Sequence, residues 1–173
     1  MNLDDIPHGS RVFIDANVII YMLAGKSFQC RSFLWRCERN SIEGWISTLV
    51  VAEVAHRRMM REAQSRQLTA SNPARALSRR PELVRQLSAY ADEVRNLLGG
   101  GLSVETIHPE DFFVALELQN QYGLLTNDSL NLAVARRLAL NEIATADANF
   151  DQVGGIAVYK PEDLSPGNAH GQA

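Results

Sequence analysis

Hydrophobic residues along the chain occur as short apolar runs and as longer stretches with helical spacing. Short apolar runs bounded by turn residues predict strands, and longer stretches with a period near 3.6 predict helices. The predicted strands lie at residues 11–14, 45–46, 103–107, 142–145 and 156–159. The predicted helices lie at residues 17–23, 28–39, 48–59, 81–98, 109–122 and 127–138. Strands that alternate with helices in this way are typical of an α/β fold with a mostly parallel sheet.

Several of these helices carry signals at their ends. Ser47 or Thr48 is a suitable N-cap for the helix that follows, and Asn127 or Asp128 is suitable for the last helix. Pro109 occupies the first turn of its helix, where proline is favoured. These signals support the predicted boundaries.

The middle of the chain differs in character from the rest. Residues 61–80 are polar, and Asn72-Pro73 interrupts them. Residues 54–91 contain eight arginines against two glutamates, which is a net charge of +6. We expect an arginine-rich helical arm at about residues 61–101 within a single domain that spans residues 1–164. The small polar residues 165–173 are expected to form a disordered tail.

Composition and charge narrow the class of protein. The 173 residues are 46% hydrophobic and 21% charged, which fits one globular domain and excludes collagen, coiled coils and wholly disordered chains. The net charge of −3 argues, taken alone, against nucleic-acid binding. Because the middle segment carries +6, the remainder carries −9, and the average conceals a basic region.

The cysteines and the hydropathy of the chain bear on the expected cellular localisation of the protein. Cys30 and Cys37 would lie two helical turns apart, too far for a disulfide, and they lack the spacing of a zinc site. We expect reduced core cysteines in a cytoplasmic protein. No run reaches the roughly 18–20 apolar residues that a membrane span needs, and residues 1–10 lack the apolar segment of a signal peptide.

Four acidic residues stand where an α/β sheet binds ligands, beyond the carboxyl ends of its strands. Asp15 and Asp147 follow predicted strands, whereas Glu53 and Asp128 lie near the starts of predicted helices. Each has an ordinary explanation alone. Asp128 would cap its helix, Asp15 and Asp147 would be turn residues, and Glu53 would pair with a nearby cation such as Arg57.

The picture changes if the four carboxylates converge. Like charges that lie close together raise each other's pKa, and a divalent cation relieves the repulsion. Oxygen ligands without His or Cys suit Mg²⁺ or Mn²⁺, and such sites commonly act on phosphate esters. The chain has no phosphate-binding GxxxxGK[ST] motif that would indicate an ATPase.

The ordered set of motifs resembles the PIN domain family of small α/β nucleases, many of which are the toxins of VapBC toxin–antitoxin pairs. The motifs are Asp15-Ala16-Asn17 after a strand, Glu53 in an apolar helix start, Thr126-Asn127-Asp128-Ser129-Leu130, and Ala144-Thr145-Ala146-Asp147. The resemblance spans residues 10–160. It implies a three-layer α/β/α sandwich with a short, mostly parallel sheet and Mg²⁺- or Mn²⁺-dependent endoribonuclease activity. Asp15, Glu53, Asp128 and Asp147 would be the catalytic, metal-binding residues.

The resemblance also implies supporting residues and one departure. Asn17 and Thr126 match polar positions that orient ligands or water. Many members have a further acid before Phe150, where this chain has Asn149. Asp151 is a candidate substitute ligand.

The expected partners of the protein are RNA, a second copy of the chain and an antitoxin. The arginines proposed for RNA contact are Arg57, Arg58, Arg61, Arg79 and Arg80. A solvated helical face or a docking surface for an acidic partner would explain them equally well. The resemblance implies a homodimer and leaves room for a cognate antitoxin.

Two other functions compete with a nuclease. One is a catalytically weak or inactive PIN-like module that binds RNA or protein, for which Asn149 leaves room. The other is a haloacid-dehalogenase-like phosphatase. That family needs a second Asp two residues after the first, where this chain has Asn17, and a late lysine for which only Lys160 is present.

Overall fold

The computed structural model describes residues 1–69 and 72–164, so the predicted tail at 165–173 lies outside the described residues. The strands are β1 Arg11–Ile14, β2 Glu43–Ser47, β3 Ser103–Glu105, β4 Glu142–Ala144 and β5 Ala157–Tyr159. The helices are α1 Ala16–Leu23, α2 Phe28–Glu38, α3 Thr48–Ser65, α4 Pro73–Ser78, α5 Pro81–Val84, α6 Ala89–Gly99, α7 Pro109–Tyr122 and α8 Thr126–Arg137. Two short 3₁₀ helices lie at Leu3–Asp5 and Ala148–Gln152.

The five strands form one sheet in the order β3-β2-β1-β4-β5, and every pairing in it is parallel. The central strand β1 is buried over Val12, Phe13 and Ile14, and Phe13 lies opposite both Trp45 and Ile143. Helices flank the sheet, and the predicted α/β fold class is confirmed.

The helix predicted over residues 81–98 is wrong as a single element, because it divides into α5 and α6. The Glu62 carboxylate on α3 accepts hydrogen bonds from the backbone nitrogens of Ser88 at 3.1 Å and Tyr90 at 3.0 Å. The backbone between the two helices is therefore bonded to a side chain from another element.

The start of the last helix also differs from the prediction. Leu125 is the N-cap residue of α8 and makes no side-chain capping bond. Asn127 and Asp128 lie inside the first turn, so the N-cap predicted for them is wrong. Asp128 thus has no capping role that would explain its position.

The segment between α3 and α6 has a small hydrophobic cluster of its own. Ala63, Leu77 and Leu87 are buried together, apart from the main core around the sheet. Arg58 on α3 donates to both carboxylate oxygens of Glu93 on α6, at 2.7 and 2.6 Å. This ion pair fastens the two long helices of the segment to each other.

Two further features concern the cysteines and the length and hydropathy of the helices. Cys30 and Cys37 are free thiols buried in the main core. Among the residues that the structure describes, none of the helices is both long and apolar enough to cross a membrane.

Candidate active site

The order of the strands produces a crevice beside β1. Within the sheet, β2 and β3 lie on one side of β1, and β4 and β5 lie on the other side of β1. Ligands of open α/β sheets bind at such a reversal, beyond the carboxyl ends of the strands. An open cavity of about 870 Å³ is lined by all four predicted acidic residues, Asp15, Glu53, Asp128 and Asp147.

Asp15 is fixed at the end of β1 by a network of hydrogen bonds. Its Oδ1 accepts from the backbone nitrogen of Ala16 at 2.7 Å, which makes it the N-cap of α1. Its Oδ2 accepts from Thr145 Oγ1 at 2.7 Å and from Asn17 Nδ2. Asn17 in turn accepts at Oδ1 from the backbone nitrogen of Ala146 at 2.9 Å, so it joins the ends of β1 and β4.

Asp147 lies three residues beyond β4 and caps the 3₁₀ helix Ala148–Gln152. Its Oδ1 accepts from the backbone nitrogen of Asn149 at 2.8 Å, and its Oδ2 accepts from Asn149 Nδ2 at 3.4 Å. Asn149 also lines the cavity. The backbone and side-chain nitrogens of Asn149 therefore orient the Asp147 carboxylate together.

Glu53 lies on the second turn of α3 and faces the cavity together with Arg57, one turn further along. Arg57 Nη2 and Glu53 Oε1 are 3.1 Å apart. The ordinary explanation for Glu53, an ion pair within its own helix, is thus observed, and the same two side chains also line the candidate site.

Asp128 is the third residue of α8 and lines the cavity from this helix. Thr126 and Asn127, at the start of the same helix, line the cavity with it. Thr126 Oγ1 accepts from Gln119 Nε2 at 3.1 Å.

Electrostatics couple the carboxylates. Burial raises the pKa of Asp15 to about 6, and the charges of Glu53 and Asp147 add to the effect, while the Thr145 hydroxyl opposes it. Burial likewise raises the pKa of Asp128 to about 7, with contributions from the other three carboxylates and opposition from Arg57. The four side chains are therefore close enough to repel one another.

The donor atoms suit a hard divalent cation, because all four side chains offer carboxylate oxygens. A cation would also relieve the repulsion that raises the two pKa values. Within residues 1–69 and 72–164, however, no three His, Cys, Asp or Glu side chains are grouped as they are around a bound metal ion. Asp15 is engaged with Thr145 and Asn17, and Glu53 with Arg57, so a cation would bind by exchanging such contacts.

Several other predicted residues lie away from the cavity. Asp151 pairs with Lys160, with 2.5 Å between carboxylate and ammonium, and is not among the cavity-lining residues. Arg58 is held by Glu93 in a half-buried ion pair. Arg61, Arg79 and Arg80 are exposed on α3 and at the junction of α4 and α5.

Thr145 and Tyr21 are two residues of the site that sequence analysis did not single out. Thr145 is fully buried, and its hydroxyl donates to Asp15 while accepting from Asn17 Nδ2 and the backbone nitrogen of Asp147, both at 3.0 Å. Its position at the end of an apolar strand, two residues before Asp147, was the available signal. Tyr21 also lines the cavity, and its position in an apolar helical run gave no such signal.

Solved structures of proteins from toxin–antitoxin pairs share the fold of this chain. VapBC2 from Rickettsia felis, bound to a DNA fragment from its promoter, is 15% identical, has a TM-score of 0.58 and aligns over 87% of this chain and 98% of its own. A toxin–antitoxin complex from Klebsiella pneumoniae is 18% identical, has a TM-score of 0.54 and aligns over 84% and 95%. VapC20 from Mycobacterium tuberculosis, a toxin that cleaves the sarcin–ricin loop, is 17% identical, has a TM-score of 0.55 and aligns over 83% and 95%.

At these identities the structural neighbours establish the fold and nothing finer. A comparison with curated protein sequences finds no relative. Residues 12–156 match the PIN domain, and this match includes all four acids of the cavity. The chain therefore belongs to the PIN domain family.

Proposed function

We propose that the protein is an endoribonuclease that hydrolyses RNA phosphodiester bonds with the aid of Mg²⁺ or Mn²⁺. The observation that carries this proposal is the meeting of four carboxylates, from four different parts of the fold, around one open cavity. Burial and mutual repulsion raise the pKa of two of them. Such an accumulation of negative charge costs stability and is common at functional sites.

The roles of the chain's own residues follow from their contacts. Asp15, Glu53, Asp128 and Asp147 would hold the cation, which when bound supplies Lewis-acid stabilisation and activates water for hydrolysis. Asn17 and Thr145 orient Asp15, and Asn149 orients Asp147. Thr126 lines the same wall as Asp128, where it is available to substrate or water.

The test is an assay of purified protein on single-stranded RNA with Mg²⁺, with Mn²⁺ and with EDTA. We expect cleavage that depends on the cation and leaves 5′-phosphate and 3′-hydroxyl ends. Asp15→Asn and Asp128→Asn should each reduce the rate by at least about 100-fold, since each removes a charged ligand. Full activity in either variant, or in EDTA, would contradict the proposal.

A PIN-like module that binds RNA or protein without cutting is the alternative outcome. Asn149, which stands where many family members have an acid, is the observation that favours it. RNA binding without cleavage in either cation would identify this alternative.

We also propose an RNA-binding surface of exposed arginines on α3 and at the junction of α4 and α5. Arg61 lies one turn beyond Arg57 on α3 and is exposed, as are Arg79 and Arg80. Arg58 is left out of this surface because its guanidinium is engaged with Glu93. Exposed arginines would attract the negatively charged phosphate backbone of RNA from solution.

Partners are proposed on two grounds. The toxin–antitoxin complexes among the structural neighbours support a cognate antitoxin, which a small adjacent gene for a DNA-binding protein would reveal. Phe112, Phe113 and Leu116 are exposed at 51%, 71% and 59% and share one face of α7, which supports a homodimer. The free, buried cysteines are consistent with a cytoplasmic protein.

A further inference from the structure

Arg57 holds an unusual position in the candidate site. Among the cavity-lining residues in the described part of the chain, it alone carries a positive charge. Its guanidinium contacts Glu53, one of the four carboxylates proposed to hold a cation. The same glutamate is thus shared between an arginine of its own helix and the proposed ligand set.

The ion pair is too weak to explain Arg57 by stability. The side chains of Arg57 and Glu53 are 37% and 22% exposed, and solvent-exposed pairs four residues apart on a helix contribute little to stability. Structural arginines in this protein look different. Arg58 binds both oxygens of Glu93 with a side chain only 15% exposed, and Arg137 binds Asp111, Glu105 and a backbone carbonyl.

The charge of Arg57 acts on cavity-lining side chains of two other helices. Its charge opposes the rise in the pKa of Asp128 on α8 and of Tyr21 on α1. A phosphate group that enters this cavity meets four carboxylates, so it needs positive charge from the protein as well as from a cation. A guanidinium presents a planar set of donors that matches two phosphate oxygens.

We propose that Arg57 positions a backbone phosphate of the substrate, and that its contact with Glu53 belongs to the substrate-free state. With Glu53 as a ligand of the cation, the Arg57 guanidinium would be free to bind the non-bridging oxygens of an RNA phosphate in the cavity. This inference rests on the proposed ribonuclease function. It gives Arg57 opposite effects on the two ligands, since the arginine competes with the cation and assists the RNA.

The experiment compares Arg57→Gln with Arg95→Gln. Arg95 is the matched control, because it also forms an exposed ion pair within one helix, with Asp92 at 2.6 Å, and lies outside the candidate site. Calorimetric titration of the RNA-free protein with Mn²⁺ measures cation affinity without any dependence on catalysis. Steady-state cleavage of single-stranded RNA at saturating Mn²⁺, at several salt concentrations, measures KM, kcat and the salt dependence.

Arg57→Gln should bind Mn²⁺ about threefold more tightly than the unchanged protein, because a competing cation has been removed. Its KM for RNA should rise about tenfold, the loss expected for one charge-assisted contact. The slope of log(kcat/KM) against log[salt] should fall in magnitude by about 0.7, which corresponds to one phosphate contact on a single strand. Arg95→Gln should change none of these quantities.

Different results separate the two proposals. If the unchanged protein cleaves RNA and Arg57→Gln behaves like Arg95→Gln, the role of Arg57 is wrong and the ribonuclease stands. Weaker Mn²⁺ binding in Arg57→Gln would also overturn the inference, because it would mean that the arginine supports the cation site. If the unchanged protein does not cleave RNA, the ribonuclease fails and the inference fails with it.

Discussion

At the scale of single residues, Asp128 illustrates how the site acts against the stability of the fold. Burial and three neighbouring carboxylates raise its pKa to about 7, so the folded chain binds this proton more tightly than the unfolded chain does. The stability that the protonated group contributes is complete below about pH 4 and is lost as the pH rises through about 7. The metal-free protein therefore loses stability from this group across that range.

We expect Asp128→Asn to raise the melting temperature of the protein in EDTA at pH 8 by about 2–6 °C, since it removes a repelled charge. The difference should vanish near pH 4, and added Mn²⁺ should stabilise the unchanged protein but not the variant. Asp92→Asn, a change to an exposed carboxylate on α6, is the control. A lower melting temperature for Asp128→Asn at pH 8 would mean that its charge is compensated in the folded state.

What the sequence reveals at this scale depends on the type of residue. The four acids could be predicted because each follows a predicted strand or lies near the start of a helix, and a parallel sheet brings these positions to the same edge. Thr145 carries a weaker signal, because a threonine at the end of a strand is common and its importance lies in hydrogen bonds to Asp15, Asn17 and the backbone of Asp147. Asp151 shows the converse, since proximity in sequence did not bring it to the cavity.

At the scale of elements, two ion pairs of one arginine join β3, α7 and α8. Arg137 on α8 donates to both carboxylate oxygens of Asp111 on α7, at 2.9 and 3.1 Å, and to Glu105 at the end of β3, at 3.0 Å. Burial alone would raise the pKa of Asp111, but hydrogen bonds from Arg137 and from the His108 backbone outweigh it and lower the pKa. This carboxylate therefore stabilises the fold above about pH 4, and that stability is lost as the pH falls through its lowered pKa.

Asp111→Asn should reduce the free energy of unfolding at pH 7 by about 2 kcal/mol, because it leaves the guanidinium without its buried partner. For a chain of this length the melting temperature should fall by about 4–8 °C. The loss relative to the unchanged protein should shrink below about pH 4, where Asp111 itself takes a proton. Denaturant unfolding at pH 7 and at pH 3.5 measures the loss of unfolding free energy at each pH. Glu117→Gln, on the exposed side of α7, is the control.

Elements were predictable where local signals and packing agree. The apolar runs that became β1, β2 and β4 are buried against helices, and Pro109 begins α7 as its sequence indicates. The break between α5 and α6 was not predictable, since the backbone there is bonded to the Glu62 side chain from α3, which lies more than 20 residues earlier in the chain. Helical period alone cannot reveal a carboxylate that bonds the backbone from another element.

At the scale of the whole molecule, the alternation of strands and helices was enough to predict the parallel sheet and the edge at which the acids meet. The surfaces of the molecule are harder to predict, because a helix that covers the sheet and a helix that meets another chain have similar apolar periods. On α7, Ala115 and Leu118 face the core, whereas Phe112, Phe113 and Leu116 are exposed. Only the structure separates these two sets.

The exposed apolar face of α7 predicts that two copies of the chain form a homodimer. Three large side chains in contact with water are unfavourable on a monomer, and pairing with a second copy would bury them. Phe113→Asp should convert a dimer into a monomer, as measured by size-exclusion chromatography with light scattering, because a buried unpaired charge at a self-complementary interface is repeated on both copies. Leu98→Asp, at an exposed leucine of a different helix, α6, should leave the dimer intact. A monomeric unchanged protein, or a dimeric Phe113→Asp, would mean that this face meets something other than a second copy of the chain.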